Sequence, residues 1–261
     1  MMKLKTLNLV AGVFHSVVLI SLILIWVLHQ GEFGGVTTST FTVQEEQGKI
    51  VTVQNFESSK TAVLWIILLF VFITAFVHFV TFGLKRYLEN AIEKQNNPLR
   101  WIEYSITSSL MLLALFFSTG EKQMDVIILS VVVNSVVMLL GNVIESSKQG
   151  CNNKNSVQVT VYAWILYIVV WFVFVRCAVN TLKNNNNVPK WVPVIVGLEG
   201  LLFTSFAVVQ ALFVSEKISF EQGEISYTVL SFVSKTLLAL IVFTGVIQRP
   251  PTAQDGENEN N

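Results

Sequence analysis

Charged residues are scarce in this chain, and so are cysteines. Asp, Glu, Lys and Arg make up only 13% of the 261 residues, whereas 52% are hydrophobic, and the formal net charge is zero. A neutral chain lacks the basic surface that nucleic-acid binding requires, so we expect no nucleic-acid partner. The two cysteines, Cys151 and Cys177, predict no disulfide framework. The mean hydropathy of +0.61 excludes an ordinary soluble domain and indicates a multi-pass membrane protein surrounded by lipid.

Long apolar runs, by contrast, occur throughout the chain. A helix needs about 20 mostly apolar residues to cross a bilayer, and seven windows meet that length: 8–29, 61–84, 99–119, 125–144, 157–180, 191–214 and 225–247. They predict an all-α membrane protein, a seven-transmembrane-helix bundle. The first window is too long for the core of a signal peptide, so we expect it to be retained. We assign 1–249 to one membrane domain and 250–261 to a disordered polar tail. No length remains for a soluble catalytic domain, so we do not expect an enzyme.

The lysines and arginines between the windows predict the orientation of the bundle, because cytoplasmic loops are usually the more basic ones. With the N-terminus inside, nine of these residues face the cytoplasm and six face outward. The inner set is Lys3, Lys5, Lys85, Arg86, Lys94, Arg100, Lys148, Lys154 and Lys217, and the outer set is Lys49, Lys60, Lys122, Lys183, Lys190 and Arg249. We therefore predict a cytoplasmic N-terminus, an outer C-terminus and a location in the cell (plasma) membrane.

The longest connection between windows, 30–60, contains two segments rich in Val, Thr, Ile and Phe. These segments, 36–44 and 49–56, flank a short polar stretch. The pattern predicts a β-hairpin in the first extracellular loop. Such a hairpin would serve as a lid or as a dimer contact; the alternative is a loop that only bridges two helices.

One lysine, Lys235, lies near the middle of the last window, and no other charge shares the stretch 225–248. A lone ammonium group inside a bilayer costs about 3 kcal/mol on insertion scales, so a chain that keeps one usually uses it. A desolvated lysine is a competent amine nucleophile toward an aldehyde. A solitary lysine halfway along the last of seven helices therefore predicts a retinal Schiff base. The alternative is a transport or packing lysine that pairs with a backbone carbonyl.

Three further ionisable residues fall in the same half of the predicted membrane as Lys235. At about 1.5 Å of rise per residue, Lys235 lies roughly 15 Å from the inner end of its window, His15 roughly 11 Å, His78 roughly 9 Å and Glu103 roughly 6–9 Å. Because their helices are neighbours in a seven-helix ring, these residues are predicted to form one inner polar site. The two histidines are either core histidines or part of a proton-accepting cavity.

Glu103 is the only acidic residue that these windows place well inside the first, second, third, fourth, fifth or seventh helix. A protonated Schiff base is a buried cation that needs an adjacent anion, and Glu103 is the predicted counterion. The alternative is an interfacial glutamate paired with Arg100 on the same helix face. Ser231, one turn before Lys235, either hydrogen-bonds near the Schiff base or bonds back to its own helix.

Glu199 in the sixth window is a deep carboxyl group on the opposite side, roughly 12 Å from the outer end. It is either a protonated packing residue or part of an outer proton path. Aromatic residues on the fifth and sixth windows are typical either of a polyene slot or of plain bundle packing. They are Trp164, Tyr167, Trp171, Phe174, Phe203 and Phe206. We assign Trp171, Phe203 and Phe206, together with Met111 of the third window, to the predicted retinal pocket.

Several of these segments resemble the heliorhodopsins, the inverted-topology family of retinal proteins. Residues 11–15 (Ala-Gly-Val-Phe-His) and 76–79 (Phe-Val-His-Phe) are similar to the histidine motifs of the first two helices. Residues 100–105 (Arg-Trp-Ile-Glu-Tyr-Ser) resemble the counterion motif. Residues 223–224 and 227–235, which end at the lysine, resemble the retinal-lysine motif. The segment 205–210 is similar to a sixth-helix pocket segment, and Asn134 stands where the fourth helix carries an asparagine.

The resemblance covers nearly the whole chain. It implies a cytoplasmic N-terminus, all-trans retinal bound covalently to Lys235, Glu103 as counterion and an inner cavity that contains histidines. It also implies homodimers with a β-hairpin in the first outer loop, and it adds Asn134 and Gln210 to the retinal pocket. Glu199 departs from the family pattern.

Two functions are consistent with these residues. In a photosensor, light isomerises retinal on Lys235, the Schiff-base proton moves toward the inner polar cluster, and a long-lived state signals to a partner that the sequence does not identify. The alternative is a light-gated passive proton channel that uses Glu199 on the outer side. A pump is disfavoured because Ala114 stands where a second carboxylate is needed and Ser231 replaces a second last-helix counterion. A retinal-independent membrane enzyme has no nucleophile–base pair or metal-ligand pattern to support it.

Overall fold

The computed structural model describes residues 2–28, 36–46, 49–59, 62–149, 153–184 and 190–247, and between 36 and 59 it describes only the backbone. The predicted polar tail, 250–261, lies outside the described residues. Eight helices occur in the described part of the chain: α1 (Met2–Leu28), α2 (Ala62–Gly83), α3 (Lys85–Glu93), α4 (Pro98–Thr119), α5 (Met124–Gln149), α6 (Asn153–Asn184), α7 (Trp191–Val214) and α8 (Phe220–Ile247). Seven of them, all except α3, are long and apolar enough to cross a membrane. The chain is an integral multi-pass membrane protein.

Several helices are longer than the apolar windows that predict them. Helix α1 begins six residues before its window, α8 begins five residues before its window, and α5 runs five residues beyond residue 144. An apolar window measures the hydrocarbon thickness, whereas a helix continues through the headgroup region as long as its backbone hydrogen bonds are satisfied. The window boundaries at these ends were therefore wrong, and the difference matters for the site.

The charged connection after α2 forms a helix of its own, α3. The backbone leaves helical geometry at Leu84, with φ −88° and ψ 67°, so α3 is separate from α2. Helix α4 then begins with Pro98 in its first turn, where a missing N–H costs nothing. Its N-cap is Asn97, whose side-chain oxygen accepts a hydrogen bond from the Arg100 N–H.

Two antiparallel strands, β1 (Val36–Glu46) and β2 (Lys49–Ser59), lie in the connection between α1 and α2. Val36 pairs with Ser59 and Glu46 pairs with Lys49, so one register holds along both strands. The strands include the segments 36–44 and 49–56, in which the sequence predicts strands, and extend beyond both. The backbone of β1 lies against α5.

The seven long helices form a closed ring with α4 drawn inward. Sequential neighbours contact one another, α8 contacts α1, and α4 also contacts α6, α7 and α8. Of the apolar window of α4, 72% is buried within the bundle, against at most 44% for the other six helices. Its mean hydropathy, 1.3, is also the lowest of the seven, because a helix that faces protein instead of lipid tolerates serine and threonine.

Helices α1, α4, α6 and α8 begin at one end of the bundle, and α2, α5 and α7 end there. We call this the proximal end and the opposite one the distal end. Contacts join these helix termini directly: Asn8 of α1 with His78 of α2, Arg100 of α4 with Glu145 of α5, and Lys148 of α5 with the Phe213 carbonyl of α7.

Candidate functional site

Lys235 of α8 and Glu103 of α4 form an ion pair in the interior of the bundle. Lys235 Nζ contacts Glu103 Oε1, and both residues are buried, with exposed fractions of 3% and 5%. The Lys235 ammonium also lies 5.0 Å from the centre of the Tyr104 ring. A buried cation needs such an anion nearby, because neither charge is stabilised by water.

The direction of helical side chains explains how residues at different depths meet. Cα–Cβ bonds tilt toward the N-terminus of a helix, so the long Lys235 side chain extends toward the start of α8, at the proximal end. Glu103 lies only five residues into α4 from that same end. The lysine stem bridges the difference in depth between the two backbones.

Two hydroxyl groups hold the Glu103 carboxylate in place. Thr74 Oγ1 of α2 lies 2.9 Å from Glu103 Oε1, and Thr107 Oγ1, one turn further along α4, lies 3.0 Å from it. Together with Lys235, they place three polar groups around a single carboxylate oxygen. Each hydroxyl also lies within hydrogen-bond distance of a backbone carbonyl, that of Phe70 for Thr74 and that of Glu103 for Thr107, so its one proton has two possible acceptors.

The two predicted histidines lie side by side, His15 near the middle of α1 and His78 within the last two turns of α2. The rings of His15 and His78 are parallel, with centroids 5.9 Å apart. His78 Nδ1 lies 2.8 Å from Asn8 Oδ1, whereas neither ring nitrogen of His15, which is fully buried, has a hydrogen-bond partner among the described residues. His78 is one turn from Thr74, so the histidines adjoin the Glu103 site.

A cavity lies beside Lys235. Its walls include three of the residues assigned to the pocket from the sequence, Met111, Phe203 and Phe206, and also Ser231. A second cavity extends between α5, α6 and α7 and is lined by Trp101, Trp164, Tyr167 and Gln210 among others. Both cavities share Met138, Phe203 and Phe206 as lining residues, so they adjoin across these three side chains.

Trp171 and Asn134, which the sequence analysis assigned to the retinal pocket, are not among the residues that line the cavity beside Lys235. The Trp171 ring packs on Phe203 at 5.3 Å between centroids, and Asn134 Nδ2 donates to Ser108 Oγ at 2.9 Å. Both therefore support residues that line the cavity beside Lys235. The position of each residue along its helix could be predicted from the sequence. The rotation of α5 and α6 about their axes could not.

A second group of buried charges lies at the proximal end, and the sequence analysis missed it. Arg100 pairs with Glu145 of α5 and with Glu224 of α8, and all three side chains are buried. Glu103 is therefore not the partner of Arg100, and it is not the only carboxylate inside those helices. The apolar windows end one residue before Glu145 and begin one residue after Glu224, so hydropathy alone places neither glutamate inside a helix.

Asn97 and two aromatic rings complete this group, which we call the Arg100 cluster (Arg100, Glu145, Glu224 and Asn97). The Asn97 N–H donates to Glu145 Oε2 at 3.1 Å, and Asn97 Nδ2 donates to Glu224 Oε2 at 2.8 Å. The Arg100 guanidinium lies 4.7 Å from the Trp101 ring and 4.4 Å from the Tyr227 ring. One member of the cluster could have been found from the sequence. Glu224 is eleven residues before Lys235, and this spacing puts both residues on the same face of α8.

Three residues that the sequence analysis left without a role shape the space between the Arg100 cluster and Lys235. Tyr104 OH donates to the Tyr227 carbonyl at 3.0 Å, which ties α4 to α8. The Tyr227 hydroxyl contacts Gln210, a predicted pocket residue. Trp101 lies against the backbone of α5 at Gly141, where any larger side chain would collide with the indole.

Glu199 of α7 lies away from both groups, in the distal half. Its side chain is fully buried, and neither carboxylate oxygen has a hydrogen-bond partner in the part of the chain that the structure describes. An ionised carboxylate in such surroundings would be strongly destabilised. The geometry therefore favours a protonated carboxyl group at this position.

Solved structures of rhodopsins share this fold. The light-driven proton pump of Coccomyxa subellipsoidea matches with a TM-score of 0.67 at 16% identity, over 92% of this chain and 96% of its own. Halorhodopsin, a light-driven chloride pump, gives 0.66 at 11% identity, over 94% and 95%. The transmembrane domain of the Salpingoeca rosetta rhodopsin phosphodiesterase gives 0.69 at 13% identity, over 95% and 86%. At such low identity these matches establish the fold: a rhodopsin-type seven-helix bundle.

The family model of the heliorhodopsins matches residues 4–247, and the chain belongs to the heliorhodopsin family. No curated protein matches the chain. Membership in this family implies a light-responsive protein with a retinal chromophore.

The residues around Lys235 fit such a group. Pockets for small organic ligands are mostly apolar, with a few polar groups at defined points. Here two adjoining cavities with aromatic and aliphatic walls meet an amine at one end, and a carboxylate lies beside that amine.

Proposed function

We propose that this heliorhodopsin is a light sensor that holds all-trans retinal covalently through Lys235. The observation that carries the proposal is the buried Lys235–Glu103 pair, which lies beside the smaller of two adjoining apolar cavities. When bound, retinal supplies light-driven isomerisation. Side chains of the protein hold the chromophore, balance its charge and accept the proton.

Glu103 is proposed to act as the counterion of the positive charge on Lys235 Nζ. Its carboxylate is oriented by the hydroxyl groups of Thr74 and Thr107. Met111, Phe203, Phe206 and Ser231 are proposed to contact the chromophore directly, with Gln210 further along the slot and Trp171 and Asn134 behind it.

Light is then proposed to move a proton from Lys235 Nζ toward the proximal polar residues. His15 and His78 are close to Glu103, and their ring nitrogens are proposed to take part in this proton transfer. A slow return of this proton would give the altered state a long lifetime. During that time the protein would signal to a downstream partner.

The decisive experiment is a visible absorption spectrum of membranes supplied with all-trans retinal. Wild type should become coloured, and Lys235→Ala should stay colourless because the attachment amine is gone. The matched control is Lys217→Ala, which removes an exposed lysine outside the bundle core and should leave the colour unchanged. A visible band in Lys235→Ala that hydroxylamine bleaches would place the attachment on another lysine and contradict the proposal.

The orientation, location and assembly are proposals as well. The excess of basic residues at the proximal end supports a cytoplasmic N-terminus and an outer C-terminus in the plasma membrane. The β1–β2 pair would then lie in the first extracellular loop. The resemblance to the family supports a homodimer.

A second candidate function is a light-gated passive proton channel. The observation that favours it is Glu199, a fully buried carboxyl group in the distal half with no hydrogen-bond partner among the described residues. A proton path across the membrane needs a titratable group on that side, since the other buried carboxyl groups and the histidines lie in the proximal half.

A further inference from the structure

The Arg100 cluster carries one more negative than positive charge. It contains one guanidinium, Arg100, and two carboxylates, Glu145 and Glu224. The exposed fractions of these side chains are 7%, 1% and 6%, so water does little to stabilise the excess charge. A buried excess negative charge favours the uptake of one proton.

Arg100 and Asn97 hold both carboxylates of the cluster. Arg100 faces one oxygen of each carboxylate, and Asn97 donates to the other oxygen of each, from its N–H and from its side-chain amide. Three of the four oxygens therefore accept a hydrogen bond, whereas Glu224 Oε1 has only the ion pair with Arg100 and no hydrogen-bond partner among the described residues. A proton on Glu224 Oε1 would displace no hydrogen bond.

Ser231 and Thr228 carry hydroxyl groups on α8 between Lys235 and Glu224. Counting back from Lys235, Ser231, Thr228 and Glu224 follow at four, seven and eleven residues, which puts all of them on one face of the helix. The Ser231 and Thr228 side chains are buried. On α4, Arg100 likewise precedes Glu103 by about one turn, so the two ion pairs share two helices.

We infer that the Glu145–Glu224 pair is the acceptor of the proton that leaves Lys235 Nζ in the light. The N–H bond at Lys235 Nζ breaks, an O–H bond forms on Glu224 or Glu145, and the charge of the Arg100 cluster changes from minus one to zero. This inference rests on the proposed function, and it assigns the end point of the proton transfer to the carboxylate pair instead of the histidines. The other titratable groups around the pair are Tyr87 of α3, Tyr104 of α4 and Tyr227 of α8.

Infrared difference spectroscopy in the light tests the inference on the retinal-loaded protein. As the visible band shifts to shorter wavelength, wild type should gain the C=O stretch of a protonated carboxyl group. That gain should be lost in Glu224→Gln or in Glu145→Gln, and in Glu224→Asp or Glu145→Asp it should move in frequency. Glu93→Gln, which changes an exposed glutamate of α3, is the matched control and should keep the wild-type band.

A carboxyl band that is unchanged in both glutamine variants would overturn the inference. The inference would also be overturned if wild type showed imidazolium bands in the light and these bands vanished in His15→Asn or His78→Asn. If wild type shows no blue-shifted state at all, the proposed function fails instead. Acid titration of the retinal-free protein in the dark then tests the inference separately. Wild type should take up one proton on a carboxylate of the cluster, and this uptake should be absent in Glu145→Gln and in Glu224→Gln. Identical titrations of all three proteins would overturn the inference.

Discussion

Single residues set the electrostatics of the proposed chromophore site. Lys235 is the one lysine within an apolar span, and its charge is matched by a carboxylate that also contacts two threonine hydroxyls. Removal of one partner from a buried ion pair typically costs about 3–5 kcal/mol, because the other charge is left without compensation. The two residues therefore depend on each other.

Glu103→Gln tests this dependence. We expect the amide to lose the anion that stabilises the proton on Lys235 Nζ, so the visible band of the retinal-loaded protein should shift or collapse into the ultraviolet at neutral pH. The measurement is an absorption spectrum across a pH titration. Thr107→Val, which keeps the carboxylate and removes one of its hydroxyl donors, should give a smaller shift in the same direction. An unchanged band and titration in Glu103→Gln would assign the counterion to another group.

At the scale of helices, the central position of α4 decides which residues meet. Its serines and threonines lower its hydropathy and are accommodated in the interior, where α2, α5 and α8 surround it. Close approach of α4 and α5 depends on Gly141, since the Trp101 indole occupies the space that a side chain would fill. Trp101 in turn lines the larger cavity and faces the Arg100 guanidinium.

Gly141→Ala should disturb this contact between α4 and α5. The added methyl group would force the Trp101 indole to move, and overpacking of this kind costs about 1–3 kcal/mol. We expect a lower midpoint for thermal bleaching of the pigment and a displaced absorption maximum. Gly197→Ala on α7 is the matched control, because a Cβ there would meet nothing within 4 Å. Equal behaviour of the two variants would show that the Trp101 contact does not shape the pocket.

At the scale of the whole molecule, buried titratable groups are distributed unequally along the membrane normal. The proximal half holds His15, His78, Glu103 and the Arg100 cluster, whereas Glu199 is the buried carboxyl group of the distal half within the described residues. A sensor needs only the proximal groups. A conductance needs a complete path, and Glu199 is the distal group that could exchange protons along it.

Photocurrents in voltage-clamped cells separate the two functions. If the channel forms, we expect a passive current that reverses with the proton gradient and that Glu199→Gln strongly reduces while the colour remains. Leu201→Ala, at an exposed position on the same helix, should retain the wild-type current. The absence of photocurrent in wild type over a range of voltage and pH would leave the sensor as the function. A current that Glu199→Gln leaves intact would place the path elsewhere.

The number of spans, the buried lysine Lys235 and its carboxylate partner Glu103 could be predicted from the amino-acid sequence alone. Seven apolar windows are set by the thickness of the hydrocarbon layer, and a lone charge such as Lys235 within a window stands out because burying it is costly. The depth of Glu103, His15 and His78 followed from the rise of a helix. All of these properties depend only on the position of a residue along the chain, so the sequence is sufficient to predict them.

Only the tertiary structure decided which charges pair and which side chains line the slot. Arg100 was available to Glu103 by helical spacing, yet it pairs with Glu145 and Glu224, which come from helices that are distant in sequence. Trp171 lies behind Phe203 because of how α6 is rotated against α7. Hydropathy measures how long a helix remains apolar, but pairing and lining depend on the rotation and inward displacement of each helix, which packing among all seven determines.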